Sequence, residues 1–113
     1  MAEILKRGDI VVVAAPGDYG KPRPAVVVQA DALIESGLKS IVVCLMSSAE
    51  LRAPLFRIQI KASPVSGLDK SSQIMADKLF TLPLEKVTQV IGRITDQQGM
   101  QLNRALAFVV GLG

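Results

Sequence analysis

Histidine is absent from this chain of 113 residues, and cysteine occurs once, at position 44. Without histidine, the usual general base, the most common metal ligand and every Ser–His or Cys–His pair are missing. A single cysteine forms no disulfide within the chain and signals no zinc site. We therefore expect no metal or other cofactor. Cys44 lies in an apolar run and is expected to be a small core residue.

Aromatic residues are also scarce, with no tryptophan, one tyrosine and three phenylalanines, although 50% of the residues are hydrophobic. The predicted core is therefore aliphatic, and the length fits a single domain spanning residues 1–113. No apolar run approaches the roughly 20 residues that cross a bilayer. The charged residues 1–7 are too few for a secretory signal. These features predict a cytoplasmic protein with no membrane partner.

The chain has a mild excess of positive charge, with a net charge of +3 and a sequence pI of about 9.3. This bias suits an anionic partner, either RNA or an acidic protein. An ordinary basic surface would give the same values, so charge alone does not choose between these interpretations.

Short β-strands dominate the hydrophobic pattern. Residues 9–15, 24–29 and 40–46 are apolar on both alternating faces, which predicts strands that are covered on both sides. A domain this small has too few residues to bury both faces of three such strands. We therefore expect a homodimer. Residues 55–61 alternate apolar with basic or polar side chains and predict a half-buried strand. Further strands are predicted at residues 72–76, 78–82 and 87–94.

Helical signals are strong only near the C-terminus. Thr95 and Gln98 have the spacing of a capping box. An apolar stripe with helical spacing follows at Leu102, Ala105, Leu106 and Val109. Single helical turns are predicted within residues 31–40 and at 83–86. Many strands before one late helix argue against alternating β–α–β units and predict a mainly β fold, a small, strongly bent antiparallel barrel with a C-terminal helix.

Arg23 is the first candidate for chemistry because it lies between Pro22 and Pro24. The two rings restrict their own φ angles, and Pro24 holds Arg23 in an extended conformation. A guanidinium on a stiff strand start suits bidentate contact with phosphate. A solvated loop arginine is the simpler alternative.

Two further polar pairs follow predicted strands. Ser47 and Ser48 end the third strand, and Asp77 and Lys78 lie between the strands predicted at 72–76 and 78–82. Each pair is explained equally well by a plain turn. Taken alone, neither pair indicates a site.

The order of these blocks resembles the MazF/PemK family of toxins. The segments RGDIVVV (residues 7–13) and RPAVVV (residues 23–28) are similar to the family's RGDIVWV and RPALVVS. Ser47 lies where the family's third strand ends in threonine or serine, and ADKLFTL (residues 76–82) resembles ADQVKTL. Val12 and Lys78 replace an aromatic residue and a glutamine of the pattern, and Met75 stands where some members have arginine. The resemblance covers nearly the whole chain.

The resemblance implies an SH3-like antiparallel barrel of the CcdB/MazF type with a C-terminal helix, usually a homodimer. It also implies an endoribonuclease that cleaves single-stranded RNA without a metal and is neutralised by an acidic, partly disordered antitoxin. In this reaction the 2′-hydroxyl attacks the adjacent phosphate and leaves a cyclic phosphate and a free 5′-hydroxyl.

The resemblance also suggests roles for individual residues. Arg23 matches the family's active arginine and is expected to stabilise the phosphorane. Ser47 is expected to hydrogen-bond a nonbridging oxygen or the 2′-hydroxyl, and Asp18 and Asp77 are the candidate catalytic carboxylates. Cationic side chains are expected to contact the phosphates, and aromatic side chains are expected to stack on the bases. The expected RNA contacts are Tyr19, Lys21, Ser48, Arg57, Lys78 and Phe80.

Two other functions fit the same predicted barrel. CcdB-type toxins trap DNA gyrase, but they share a Trp-Gly-Ile end, whereas this chain has no tryptophan and ends in Gly111-Leu112-Gly113. A non-catalytic binding module is the third possibility, and Met75 and Lys78 keep it open.

Overall fold

The computed structural model describes residues 4–14 and 21–113. The strands are β1 (Asp9–Ala14), β2 (Pro22–Val27), β3 (Ser40–Ser47), β4 (Arg57–Ile60), β5 (Ser72–Pro83) and β6 (Val87–Arg93). They form one antiparallel sheet in the order β4-β5-β3-β2-β1-β6. Helix α1 (Asp31–Glu35) lies between β2 and β3, a 3-10 turn (Leu84–Lys86) precedes β6, and helix α2 (Asp96–Val109) follows β6. The prediction of a mainly β fold with a C-terminal helix is confirmed.

Helix α2 begins where the sequence predicts. The Gln98 amide donates to the Thr95 hydroxyl at 3.1 Å, and the Thr95 amide donates to the Gln98 side-chain oxygen at 2.8 Å. This capping box satisfies two amides that have no partner within the helix. Within the described residues, no helix combines the length and apolar character needed to cross a bilayer.

The central strands separate two hydrophobic clusters. On one face Ile10, Val26 and Met46 pack with Leu102 and Ala105 of α2. On the other face a second cluster is covered by the N-terminal segment, α1 and the 3-10 turn through Leu5, Ile34 and Leu84. One chain therefore covers both faces of these strands, so the reason given above for a homodimer is wrong. The homodimer itself stays a prediction.

Cys44 belongs to the first cluster and is completely buried, which confirms its predicted core position. Burial raises the pKa of its thiol to about 12; nearby Arg7 lowers the pKa and Asp77 raises it, both by smaller amounts. A thiol that stays protonated at neutral pH is a poor nucleophile. Cys44 is therefore a packing residue.

The prediction of separate strands at residues 72–76 and 78–82 is wrong, because β5 is continuous. Met46 pairs with Ile74, whereas Cys44 pairs with Leu79, so β5 carries extra residues at this point. Such a bulge changes which alternate side chains face the core. In the sequence, the interrupted alternation looks like a strand end followed by a turn at Asp77 and Lys78.

The RGD segment at the start of the resemblance has a structural role. The Asp9 carboxylate accepts hydrogen bonds from the Lys6 amide at 2.9 Å and from the Arg93 guanidinium at 3.0 Å. Arg7 donates through its amide to Asp31 at 2.7 Å and through Nε to the Val28 carbonyl at 2.9 Å. These bonds hold the N-terminal segment against the end of β6 and the start of α1.

Strands β4 and β6 are the sheet edges, and the loop between β4 and β5 joins them across the opening. We call this loop, residues 61–71, the closing loop. The Arg93 amide donates to the Val65 carbonyl at 3.0 Å. A Cβ atom at Gly92 would overlap the Ser66 carbonyl, and one at Gly67 would overlap the Ile91 carbonyl. The two backbones therefore approach at a distance that only glycine permits.

Gly92→Ala is expected to lower the free energy of unfolding by about 1–3 kcal/mol, the usual cost of overpacking, because the added methyl group meets backbone. Gly99→Ala is the matched control, since nothing lies within 4 Å of its added Cβ. In helix α2 that exchange should raise stability by about 0.5–1 kcal/mol. Urea unfolding measures both values. A Gly92→Ala protein as stable as the wild type would contradict the close approach.

Candidate active site

The cleft lies where the first hydrophobic cluster reaches the surface. Ile10 is fully buried, whereas Val12, on the same face of β1, is partly exposed. Helix α2 packs on β4 and β5, and none of its residues lines the cleft. The resulting cavity has a volume of about 660 Å³. It is lined by Val12, Pro22, Arg23, Pro24, Met46, Ser47, Ser48, Gly67, Leu68, Asp69, Lys70, Ser72, Gln89 and Ile91.

The floor of the cleft is part of the sheet itself. Val12 pairs with Pro24 of β2 on one side and with Gln89 of β6 on the other. These neighbours occupy one row across three strands, so their positions are set by the hydrogen-bond register. Side chains carried by strands hold more precise positions than side chains on free loops.

Arg23 lies within β2, where it pairs with Val13. Pro22 and Pro24 flank it in the same strand, and all three line the cleft. The predicted rigid strand start is therefore present, and it carries Arg23, a partly buried residue, at the cleft wall.

Two hydroxyl groups form the neighbouring part of the wall. Ser47 is the last residue of β3 and pairs with Gln73, and Ser48 follows it at the surface. The Ser47 oxygen accepts a hydrogen bond from the Ala49 amide at 3.1 Å. This bond uses a lone pair and leaves the hydroxyl proton available for donation. The sequence-predicted Arg23, Ser47 and Ser48 thus line one cavity.

The closing loop forms a further wall that the sequence analysis missed. Its Gly67, Leu68, Asp69 and Lys70 line the cleft, as does Gln89 of β6. The available signal was a charged pair directly after a turn-rich segment, which is common at any surface. Only the contact between the closing loop and β6 brings these residues beside Arg23.

Ser66 holds the closing loop in shape. It is buried, and its hydroxyl donates to the Lys61 carbonyl at 2.8 Å. Its oxygen also accepts from the amides of Ser63 at 3.1 Å and Leu68 at 3.3 Å. Leu68 is itself buried in the first cluster. The loop is therefore fixed both by polar bonds and by an apolar side chain.

Asp77 lies outside the cleft, which corrects the expectation that it shares a site with Arg23. Its carboxylate accepts from Arg57 Nε at 3.1 Å and lies 3.8 Å from the Lys78 ammonium. Arg57 also lies over the Phe56 ring, 5.8 Å from its centre. The bulge in β5 places Asp77 beside β4, so we propose no catalytic role for it.

The other residues predicted to contact RNA lie in different parts of the structure. Phe80 packs against the second cluster, which leaves it little free stacking surface. Lys78 is exposed outside the cleft, and Lys21 is exposed directly before β2. Asp18 and Tyr19 lie outside the described residues.

Among the residues that are described, no group of three or more His, Cys, Asp or Glu side chains is placed to hold a metal ion.

Comparison with known proteins decides the family. A family model described as PemK-like, MazF-like toxin of type II toxin-antitoxin system matches residues 6–110. The chain belongs to this toxin family. Its sequence is 36% identical over 109 residues to a protein named probable endoribonuclease MazF from Mycolicibacterium smegmatis, covering 96% of this chain and 98% of that protein.

Solved structures share the fold of this PemK/MazF-family toxin. One is an endoribonuclease in complex with its cognate antitoxin from a mycobacterial species, with a TM-score of 0.79, 19% identity and coverage of 96% of this chain and 97% of that one. Another is a MazE–MazF structure from Deinococcus radiodurans, with a TM-score of 0.79, 17% identity and coverage of 98% and 99%. At this identity the likeness shows the fold alone, and it confirms the MazF-like architecture.

Ser66→Ala is expected to lower the free energy of unfolding by about 1–3 kcal/mol, because buried amides of the closing loop lose their acceptor. Ser36→Ala is the control, since its exposed hydroxyl makes one bond, to the Leu33 carbonyl at 2.6 Å. Urea unfolding gives the stabilities, and hydrogen exchange should show faster exchange at the Ser63 and Leu68 amides only in Ser66→Ala. Unchanged exchange at both amides would count against the loop anchor.

Proposed function

We propose that this toxin is an endoribonuclease that cleaves single-stranded RNA in the cleft without a metal ion. The observation that carries the proposal is the meeting of Arg23, stiffened by two prolines, with the hydroxyls of Ser47 and Ser48 in one cavity. A permanent cation beside hydroxyl donors suits a phosphodiester. The relative from Mycolicibacterium smegmatis, which carries the name endoribonuclease, supports the same reaction class.

The reaction begins when the 2′-hydroxyl of RNA attacks the adjacent phosphorus. The new bond from the 2′-oxygen to phosphorus forms while the bond to the 5′-oxygen breaks, giving a cyclic phosphate and a 5′-hydroxyl. Negative charge accumulates on the nonbridging oxygens as these bonds exchange. A preorganised guanidinium stabilises that charge more in the transition state than in the bound substrate, which is the condition for catalysis. We assign this role to Arg23.

Ser47 supports the same charge through its free hydroxyl proton. Donation to a nonbridging oxygen needs no rearrangement of β3, because the hydroxyl oxygen is already oriented by the Ala49 amide. A proton must also leave the 2′-hydroxyl and another must reach the leaving 5′-oxygen. Asp18 stays a candidate carboxylate for the first transfer. For the second, the family resemblance suggests proton donation by Arg23, in addition to its main role of charge stabilisation.

The cations around the cleft also suit an acidic protein. Arg23 and Lys70 line the cavity, and Lys21 lies exposed beside its rim. We propose an acidic antitoxin whose extended segment occupies this groove and excludes RNA. The two antitoxin complexes of the same fold support such a partner. The homodimer and the cytoplasmic location stay predictions.

The gyrase-trapping and non-catalytic interpretations predict no RNA cleavage. The match to the PemK-like, MazF-like family over residues 6–110 favours the endoribonuclease over both. A cleavage experiment distinguishes the endoribonuclease from both alternatives.

Purified protein is expected to cleave single-stranded RNA in EDTA at the rate seen in magnesium, because Arg23 and Ser47 supply the charge stabilisation. The products should carry cyclic phosphate and 5′-hydroxyl ends, which end-labelling distinguishes from the opposite polarity. Loss of cleavage in EDTA that is restored by a divalent ion would contradict the metal-free mechanism. No cleavage under either condition would contradict the nuclease itself.

Arg23→Ala is expected to reduce single-turnover cleavage by about 10²–10³-fold, the usual loss when one preorganised charge-stabilising donor is removed. RNA affinity should fall much less, since one phosphate contact is lost among several. Arg23→Lys should restore little, because it keeps the charge without the planar fork. Ser47→Ala should act in the same direction and more weakly.

Arg104→Ala is the matched control, because it removes the same charge from an exposed position on α2. It should leave the cleavage rate near that of the wild type. Thermal melting of all variants checks that each is folded. Wild-type cleavage by a folded Arg23→Ala protein would remove Arg23 from the active site.

A further inference from the structure

We propose that Asp69 and Gln89 recognise one base of the RNA and that this base is guanine. The inference rests on the proposed nuclease function and adds the specificity of the same cleft. Asp69 belongs to the closing loop and Gln89 to β6, and both line the cavity that contains Arg23. Both side chains are exposed to solvent and therefore available to a ligand.

The polar residues that line the cleft differ in the part of an RNA that each can bind. Arg23 and Lys70 are cations and suit phosphate, and the serine hydroxyls suit phosphate or ribose. Asp69 is different, because a carboxylate repels the backbone of a bound RNA. Asp69 can contact RNA favourably only through hydrogen-bond donors, and in RNA those donors lie on base edges and ribose hydroxyls.

The carboxylate is not used by the fold. Within the part of the chain that the structure describes, Asp69 takes part in none of the ion pairs or side-chain hydrogen bonds. By contrast, Asp9, Asp31 and Asp77 accept bonds from protein donors. Among the described residues, Asp96 resembles Asp69 in accepting none, but only Asp69 lines the cleft. A carboxylate in the wall of a cleft that makes no bond within the described protein is available to a ligand.

Guanine fits a carboxylate better than any other base does. Its Watson–Crick edge presents two adjacent donors, the ring N–H and the exocyclic amino group, which match the two oxygens of Asp69. In adenine and cytosine an acceptor lies next to the amino group, and in uracil two carbonyls flank the ring N–H. Each of these would meet the carboxylate with a repelled lone pair.

Gln89 supplies what the carboxylate lacks. The remaining group on the guanine edge is a carbonyl, which needs a donor, and the amide of Gln89 can donate. Its backbone position is set by pairing with Val12 on the cleft floor.

The loop that carries Asp69 is rigid enough to discriminate. Leu68, the preceding residue, is buried in the first cluster. The Ser66 hydroxyl bonds to backbone groups of Lys61, Ser63 and Leu68 in the loop. Gly67 packs directly against the backbone of β6. A recognition group held by such supports keeps its geometry, and fixed geometry is what turns a hydrogen bond into selectivity.

The test is a selection on single-stranded RNA with randomised sequence, in two arms. One arm sequences the cleaved products, and the other sequences RNA with 2′-O-methyl groups that is retained by binding and cannot be cleaved. Wild-type protein is expected to show guanine at one position in both arms. Asp69→Asn should reduce the preference for guanine over adenine at that position by roughly 10–100-fold, the range expected for one bidentate base contact.

Asp69→Asn should also favour adenine or cytosine, because an asparagine amide offers one donor beside one acceptor. Gln89→Leu should weaken the guanine preference less. Asp96→Asn and Gln101→Leu are the matched controls, since they make similar exchanges at exposed positions of α2. Neither control should change the sequence profile.

Three outcomes would overturn the inference. The first is a wild-type profile in both arms for Asp69→Asn. The second is an equal gain in affinity for all sequences that disappears at high salt, which would make Asp69 a general repeller of phosphate. The third is an equal loss of rate for all sequences with unchanged preference, which would make Asp69 a proton acceptor. Failure of cleavage by wild-type protein would contradict the nuclease function, whereas the binding arm would still test guanine recognition.

Discussion

The approach of the closing loop to β6 is the contact on which the rest of this structure depends. Strands β4 and β6 are the two edges of the sheet and do not pair with each other. The bond from the Arg93 amide to the Val65 carbonyl joins them indirectly. It is possible because Gly67 and Gly92 have no side chains at the crossing. The contact covers part of the first hydrophobic cluster and positions one wall of the cleft. The stability of the fold and the geometry of the site therefore depend on the same contact.

The polar groups that line the cleft come from different elements of the fold. Arg23 and the Ser47 hydroxyl come from β2 and β3, where a phosphate would be held, and both are placed by strand backbone. Asp69 comes from the closing loop, and Gln89 comes from the edge strand. The residues proposed for the reacting phosphate and those proposed for base recognition therefore come from different elements. On this proposal, changes at Asp69 in the closing loop would alter base preference while Arg23 and Ser47 keep their positions on β2 and β3.

Local patterns predicted most of the elements because their causes are local. The capping box of Thr95 and Gln98 and the turn before β6 depend on neighbouring residues alone, and both are present. The blocks around Arg23 and Ser47 were assigned to one site by family resemblance, and the fold brings them together. Asp77 shows the limit of this approach. A bulge in β5, invisible in the sequence, turns it toward Arg57 and away from the cleft.

The sequence by itself determined the fold class, the aliphatic core, the helix start and the rigid setting of Arg23, since these follow from periodicity and from the restricted backbone of proline. It also determined the family, through the order and spacing of its blocks. Only the tertiary structure decided that one chain covers both faces of its central strands and that Asp69 and Gln89 enter the cleft. The physical reason is that these facts depend on contacts between distant segments. Sheet register and the crossing of the closing loop with β6 create those contacts. Neither produces a periodic pattern of apolar residues that could be recognised in the sequence.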